Sequence, residues 1–341
     1  MDRLTENKII LVVRATRLAD LKARFATKMQ AKFYVSRLGG DFADYEQEDT
    51  AYQTAIAEAR QILAGLGRVQ IVQRAMLPNF VFGPEDIVIA LGQDGLVANT
   101  LKYLNGQPLI GVNPDPKRWD GQLLPFNVRD LDKIVREVLR HGRPVKSVTM
   151  AKVTLNTGPT LHAVNDFFIG ARTHISARYQ IRLGKLAENH SSSGVIVSTG
   201  LGSTGWLKSL LTGAVCVARA AVEVLDPSPH HSPLRAESVA AARVRGLSDP
   251  RAGMSESPPA TEFAWDADYL YFTVREPFPT KKTGASLVFG RVTTRQPLII
   301  ESQMAEHGVI FSDGIEQDFL EFNSGTRAVI GIAERKGVLV E

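Results

Sequence analysis

The residues best placed to do chemistry lie in Gly92-Gln93-Asp94-Gly95, where the apolar run Ile87-Val88-Ile89-Ala90-Leu91 meets a glycine-flanked acid. A helix-like segment follows from Leu96 to Leu104. Glycines let the backbone turn sharply and come close to a ligand, and open α/β sheets bind ligands at the carboxyl ends of their strands. Backbone N–H groups and the positive end of the following helix would face a phosphate placed there. An acid among such amides is electrostatically costly unless it has a task. The tasks available are deprotonating an attacking hydroxyl or holding Mg2+. Asp-Gly is also a common turn pair, so Asp94 alone reads equally as a turn acid.

A second turn of this kind, Thr199-Gly200-Leu201-Gly202-Ser203-Thr204-Gly205-Trp206, follows the apolar run Val195-Ile196-Val197. It satisfies the G-x-G-x-x-G dinucleotide pattern, with Glu223 or Asp226 about 20 residues later. A Rossmann unit needs the next helix to lead into a second parallel strand carrying that acid. Here the helix pattern, Trp206 to Leu225, leads instead into a stretch rich in Pro, Ser, Ala, Arg and His. The turn therefore reads as a nucleotide site outside a Rossmann unit, with Thr199, Ser203 and Thr204 offering hydroxyls to a base or ribose beside Gly202. Two ligand-grade turns imply two substrates. Asn165-Asp166 pairs an amide with a carboxylate, a combination suited to ribose hydroxyls and a base edge, with an Asx turn as the alternative.

Other chemistries are excluded by their missing patterns. The histidines lack metal-ligand spacing, and Cys216 is the single cysteine, which rules out an intramolecular disulfide or multi-cysteine metal site. Within Ala214-Val215-Cys216-Val217-Ala218 it reads as a small buried hydrophobe. No P-loop, protein-kinase signature set or G-x-S-x-G elbow occurs.

The elements that must position these residues fall into two textures. Lys8 to Arg14, Val69 to Val72, Asp86 to Leu91 and Pro108 to Val112 read as short buried strands. Between and after them run helix patterns over Leu18 to Phe33, Asp49 to Leu66 and Val128 to His141. This alternation predicts an α/β domain over residues 1–145. From Ser147 short β-rich runs follow, among them Val148 to Leu155, Thr160 to Ile169 and Tyr179 to Leu183. Later runs are Tyr269 to Val274, Leu298 to Glu301, Val309 to Ser312 and Ala328 to Ile332. Residues 146–341 therefore read as a mostly antiparallel nucleotide-binding domain, with a surface insertion over 226–261.

With 341 residues, 44% hydrophobic and 22% charged, the chain has room for two globular domains. The net charge of +4 is spread along the chain without a Lys/Arg stripe, which suits anionic small molecules and argues against nucleic acid. No apolar run approaches the roughly 20 residues that span a bilayer. The first residues, Met1 to Glu6, lack the pattern of a secretory signal, so a cytoplasmic protein with no membrane partner is expected.

The order of these motifs resembles that of the NAD kinases. In that family an α/β domain ends its key strand in Gly-Gly-Asp-Gly, followed by an Asn-Glu pair and then Thr-Gly-Ser-Thr-Ala-Tyr in a β-rich domain. This chain has Gly92-Gln93-Asp94-Gly95, Asn165-Asp166 and Thr199 to Trp206 in the same order. It is most similar to the mitochondrial-type branch, through Val112-Asn113-Pro114-Asp115-Pro116, Phe168-Ile169-Gly170, Ser176-Ala177-Arg178-Tyr179 and Ser192-Ser193-Gly194. The likeness continues through Val274-Arg275-Glu276-Pro277 to Asp313-Gly314.

The resemblance implies transfer of the ATP γ-phosphoryl group, or that of polyphosphate, to the 2′-hydroxyl of the adenosine ribose of NAD. Asp94 would then be the general base, Gly92 and Gly95 would shape the phosphate turn, and Gln93 would replace a glycine there. Asn165 and Asp166 would hold the ribose and base, with Thr199, Gly202, Ser203 and Thr204 against adenosine. Mg2+ would ride on the triphosphate, and the protein would be a homodimer or homotetramer. A lipid or sugar kinase of the same fold, or a catalytically weak NAD(P)-binding sensor, are the other readings.

Overall fold

The computed structural model describes residues 4–225 and 262–341; the insertion expected at 226–261 lies outside the described residues. The chain divides into a large unit, up to Leu201 and again from Ala264, and a second unit, Gly202–Phe263.

The first part of the large unit is a parallel sheet with helices on both faces. Its elements are β1 (Lys8–Val13), α1 (Arg17–Phe25), α2 (Lys28–Arg37), α3 (Phe42–Ala64), β2 (Arg68–Gln73), β3 (Ile87–Leu91), α4 (Asp94–Leu101), β4 (Pro108–Asn113), β5 (Phe126–Asn127) and α5 (Leu131–Leu139). β1 lies between β2 and β3, and β3 pairs with β4, all in parallel. Both faces of β1 are covered, which is why Ile9 to Val13 are all apolar rather than alternating. Ile9, Leu11 and Val13 pack with Tyr52, Ala59 and Leu63 of α3 and Ile134 of α5. Ile10 and Val12 share a second cluster with Leu96, Val97 and Leu101 of α4, and that cluster also contains Val164 and Leu201. α4 therefore lies between the parallel sheet and the later half of the chain.

The continuous helix pattern expected over Leu18 to Phe33 is two helices. Ala26 takes a left-handed φ of 61° and ends α1, and Thr27 caps α2 through the backbone N–H of Gln30. α3 begins at Phe42, seven residues before the expected start at Asp49, because Asp41 caps it through the N–H of Ala43.

The later strands are β6 (Val145–Leu155), β7 (Thr160–Ala163), β8 (Asp166–Ala171), β9 (Ala177–Leu183), β10 (Leu186–Ser192) and β11 (Val195–Ser198). After α6 (Trp206–Leu225) come β12 (Tyr269–Val274), β13 (Phe289–Thr293), β14 (Leu298–Ser302), β15 (Gly308–Ser312), β16 (Ile315–Glu321) and β17 (Arg327–Val340). One sheet, ordered β13-β12-β11-β8-β15-β16, is antiparallel throughout. It packs across a core of Phe167, Ile169, Val197, Phe272, Tyr179, Ile300 and Ile330 onto β9, β14, β17, β6 and β7. Those five strands continue the parallel sheet, because the end of β17 pairs in parallel with the start of β4.

The run Thr160 to Ile169 is thus not one strand: β7 belongs to one sheet and β8 to the other, with a break at Val164-Asn165. The second unit, described by itself, contains a 3-10 turn over Gly202–Thr204, the helix α6 and an ion pair between Lys208 and Glu262 at 3.2 Å. Cys216 is exposed on α6 rather than buried, since the run around it belongs to a helix with exposed Ala214 and Val217. No helix among the described residues is long and apolar enough to cross a membrane.

Candidate active site

The turn after β3 places Asp94 as the first residue of α4, with Gln93 at the N-cap in extended conformation. The helix thus begins two residues earlier than the apolar pattern suggests. The Asp94 carboxylate accepts two backbone N–H groups, from Gln122 at 3.1 Å and from Leu123 at 2.9 Å. Each oxygen takes one donor and keeps further lone-pair capacity. The clamp depends on a glycine in β4: a Cβ on Gly111 would lie 2.0 Å from the Leu123 carbonyl oxygen, so only glycine lets the 121–124 segment sit against the strand. Gly92 donates its N–H to the Val112 carbonyl, and a Cβ there would meet Leu96 Cδ2 at 2.7 Å.

Gly95 differs from both. It is exposed, neither it nor Gly92 has a positive φ, and nothing lies within 4 Å of where its Cβ would be. The turn therefore needs glycine for close packing at Gly92 and for no reason of fold at Gly95, where the free space faces solvent. Gln93 is half-buried and makes no side-chain cap to the helix.

The second group of expected residues gathers at the break between β7 and β8. Three consecutive N–H groups, of Val164 (3.1 Å), Asn165 (2.7 Å) and Asp166 (3.3 Å), converge on the carboxylate of Asp313. Asp313 sits in the β15–β16 turn with a φ of 53°, followed by Gly314 at 71°. Because the carboxylate takes these donors, the chain can leave one sheet and enter the other without orphaned amides. Thr199, fully buried, donates its hydroxyl to the Val164 carbonyl and its N–H to the Asn165 carbonyl at 2.9 Å. The loop is thus held from both sides, leaving the Asn165 side chain half-buried and without a hydrogen bond among the described residues.

Asp166 is 7% exposed, and no described residue hydrogen-bonds its carboxylate. Burial, and secondarily the charge of Asp313, push its pKa up to about 7. Burial also raises the pKa of Asp313, against the pull of Lys102 and the three amides.

Lys102, just past α4, is 2% exposed and reaches the same turn. Its ammonium donates to Ser312 Oγ at 3.0 Å and to Asp318 at 3.1 Å, and Tyr103 donates its hydroxyl to the same Asp318 oxygen. Arg335 donates to the Lys102 carbonyl and lies 3.5 Å from His162 Nδ1. Burial and then the Arg335 charge lower the His162 pKa to about 4, leaving a neutral imidazole. The helix headed by Asp94 is thus tied at its other end to the turn that fixes Asn165 and Asp166.

Sequence reasoning gave no role to Lys102, Gly111 or Asp313. The signal available was the Asp313-Gly314 pair, a turn that tolerates left-handed backbone. Gly202, Ser203 and Thr204 lie in the second unit, Gly202 and Ser203 buried and Thr204 exposed. The strand before that turn, β11, has antiparallel neighbours on both sides, so the glycine pattern does not open a Rossmann unit. Among the described residues, no group of three or more His, Cys, Asp or Glu side chains is placed to hold a metal ion.

No protein-family model matches the chain. Among curated proteins it is 25% identical over 154 residues to an NAD kinase of Chloroherpeton thalassium, covering 42% of this chain and 52% of that one. It is 25% identical over 129 residues to NAD kinase 2 of Geobacillus kaustophilus, covering 37% and 48%. With an NAD kinase of Burkholderia thailandensis it shares 27% over 144 residues, covering 40% and 47%. The chain spans about half the length of the curated relatives it matches. Of solved structures, an NAD kinase from Archaeoglobus fulgidus in complex with ATP superposes with a TM-score of 0.51 at 15% identity, covering 98% of this chain and 93% of that one. Yeast NADH kinase complexed with NADH gives 0.51 at 13% identity, covering 98% and 84%. An N-terminal α/β part joined to a C-terminal antiparallel β-rich part is the fold this chain shares with the NAD kinases.

Proposed function

We propose that the chain is an ATP-dependent kinase that phosphorylates the 2′-hydroxyl of the adenosine ribose of NAD or NADH. The observation that carries this reading is Asp94: an oriented carboxylate at the head of α4, held by two backbone amides beside the open position at Gly95. The carboxylate takes the proton of the 2′-hydroxyl as its oxygen bonds to the γ-phosphorus. The bond from γ-phosphorus to the bridging β–γ oxygen breaks, and ADP leaves. Amides at the start of α4 stabilise charge on the transferring group. Mg2+, if carried by the triphosphate, would supply the remaining charge neutralisation.

In this reading the 1–145 part serves the donor and the 146–341 part the acceptor. Asn165 and ionised Asp166 take the ribose hydroxyls and base edge, with Thr199, Gly202, Ser203 and Thr204 toward adenosine. The protein is a cytoplasmic homodimer or homotetramer of the mitochondrial-type branch, acting on small nucleotides rather than on nucleic acid or membranes. The Archaeoglobus and yeast structures, with ATP and with NADH bound, support the pairing of donor and acceptor. A polar pair, Asn165 and Asp166, suits a nucleotide better than the apolar acceptor of a lipid kinase.

A sensor that binds NAD(P) without transferring phosphate is the second reading. It is favoured by Gln93 where these kinases have glycine. Incubating the protein with ATP and Mg2+ against NAD, NADH, diacylglycerol and simple sugars separates the readings. The kinase reading expects NADP or NADPH. Nucleotide binding without transfer favours the sensor, and phosphorylated lipid or sugar overturns the acceptor.

A further inference from the structure

Helix α2 is apolar on two sides, and the core uses one of them. Ala31 and Val35 are buried and pack with Leu18 of α1 and Phe42 of α3. Met29 and Phe33, four residues apart on the opposite side of the helix, are 76% and 66% exposed. Leu38, which ends the helix, is 70% exposed. Apolar side chains exposed singly are ordinary, but two large ones a turn apart, with a third at the helix end, form a patch that the fold itself does not use.

The patch is set among cations. From Arg17 to Leu38 the chain has six Lys or Arg and one acid, Asp20, whereas the net charge of the whole protein is only +4. Carboxylates of α3 match two of the six: Arg17 pairs with Asp44 and Glu48, and Lys28 pairs with Glu46. Lys22, Arg24, Lys32 and Arg37 are exposed and make no ion pair among the described residues. Lys32 and Arg37 flank Met29 and Phe33 on α2, with the Arg37 guanidinium 6.0 Å from the Phe33 ring centroid. Arg24 of α1 lies over Phe25 and Tyr34 at 5.2 Å and 5.7 Å. Chain order hides this excess, because the left-handed turn at Ala26 is what folds α1 and α2 against each other.

Charge and shape together select the partner. Unpaired cations alone would suit any polyanion, and exposed apolar chains alone any apolar face. Lys and Arg beside Phe and Met fit a surface that carries negative charge over hydrocarbon, where the charged heads stay among the headgroups while the apolar chains enter. Met29 and Phe33 project from a helix and so need no shaped counterpart, as a protein partner would have to supply.

We propose that the α1–α2 hairpin is a peripheral docking surface for an anionic lipid bilayer, with Met29, Phe33 and Leu38 entering between headgroups and Lys22, Arg24, Lys32 and Arg37 attracted by the surface charge. So few apolar chains give reversible adsorption and not a stable anchor. The contact decides where the protein rests, not what it phosphorylates, so it stands apart from the kinase reading.

Co-sedimentation of the full chain with phosphatidylcholine vesicles, pure or containing about one-third phosphatidylserine, tests the surface. The wild type is expected to pellet with the anionic vesicles, to stay in solution with the neutral ones, and to be released as salt rises from about 0.1 M to about 0.5 M. Lys32→Gln with Arg37→Gln is expected to weaken binding about tenfold or more, and Met29→Ser with Phe33→Ser several-fold. Val81→Ser, at an apolar position 87% exposed outside the hairpin, serves as the control and is expected to bind as the wild type does. If the Met29 and Phe33 pair of changes unfolds the protein by circular dichroism, the Lys32 and Arg37 pair decides in the same terms. No pelleting of the wild type with anionic vesicles, equal pelleting with neutral ones, or wild-type affinity in either folded double variant overturns the proposal. A smaller assembly for the Met29 and Phe33 variant in analytical ultracentrifugation, with no vesicle binding by the wild type, would assign the patch to a second copy of the chain instead.

Discussion

Asp313 holds the Asp166 backbone at two points: the Asp313 carboxylate accepts the N–H of Asp166 at 3.3 Å, and the Asp313 N–H donates to the Asp166 carbonyl at 3.0 Å. The exchange joins the β15–β16 turn to the start of β8 and brings two carboxyl groups into one buried neighbourhood. Asp313 is satisfied by three amides, while Asp166 is left to whatever ligand enters. Under the proposed function, this asymmetry is what suits Asp166 to binding the acceptor.

A pH dependence follows from Asp166. Its folded pKa of about 7 lies above the ordinary carboxylate value, so the stability its neutral form provides is full below about pH 4 and is lost as pH rises to about 7. Asp166→Asn is expected to flatten that part of a stability-versus-pH curve measured by urea unfolding. NAD affinity should run the opposite way, rising from pH 6 to pH 8 as the carboxylate ionises and accepts ribose hydroxyls. Calorimetry at the two pH values checks this, and a flat affinity would remove Asp166 from the acceptor site.

Gly95 in the turn and Gly111 in β4 beneath the Asp94 clamp should separate binding from fold. Gly95→Ala adds a methyl into open space and is expected to keep the wild-type Tm within a degree or two while weakening ATP binding. Gly111→Ala forces Leu123 away from β4 and is expected to cost roughly 3 kcal/mol and to release the clamp on Asp94. Thermal unfolding and ATP titration of both variants read the contrast.

The buried ammonium of Lys102 predicts a coupled pair. Lys102→Met leaves Asp318 with only the Tyr103 hydroxyl and is expected to cost about 3 kcal/mol in urea unfolding. Adding Asp318→Asn should cost less than the sum of the single changes, and strict additivity would mean the pair does not interact.

Much of the Gly92–Gly95 turn was legible in the sequence, because a continuously buried strand and a glycine-flanked acid are both local signals. Ile87 to Leu91 is the observed strand, and Asp94 stands at the head of the next helix. The partners of these residues were not legible. Leu123 reaches Asp94 across 29 positions and Asp313 reaches Asn165 across 148, and no local pattern encodes such pairings. The sheet change at Val164-Asn165 was hidden because the run from Thr160 to Ile169 continues as extended chain on both sides of it. β16 was missed because Ile315-Glu316-Gln317-Asp318 is polar and lies on a sheet edge. β17 was recognised only over Ala328 to Ile332, because Glu334, Arg335 and Lys336 interrupt its apolar character at a register shift.

Gln93 offers a test of the sensor reading. If its side chain crowds the donor phosphates, Gln93→Gly is expected to raise turnover with ATP several-fold. A fall in turnover would show instead that the amide is a working contact. Steady-state rates with NAD as acceptor decide between them.

The most direct measurement is single-turnover transfer from γ-labelled ATP to NAD, compared between the wild type and Asp94→Asn, with NAD binding measured on both. The account predicts labelled NADP from the wild type and a rate lower by about 10²-fold or more in the variant at nearly unchanged NAD affinity. Transfer at the wild-type rate by Asp94→Asn would contradict it.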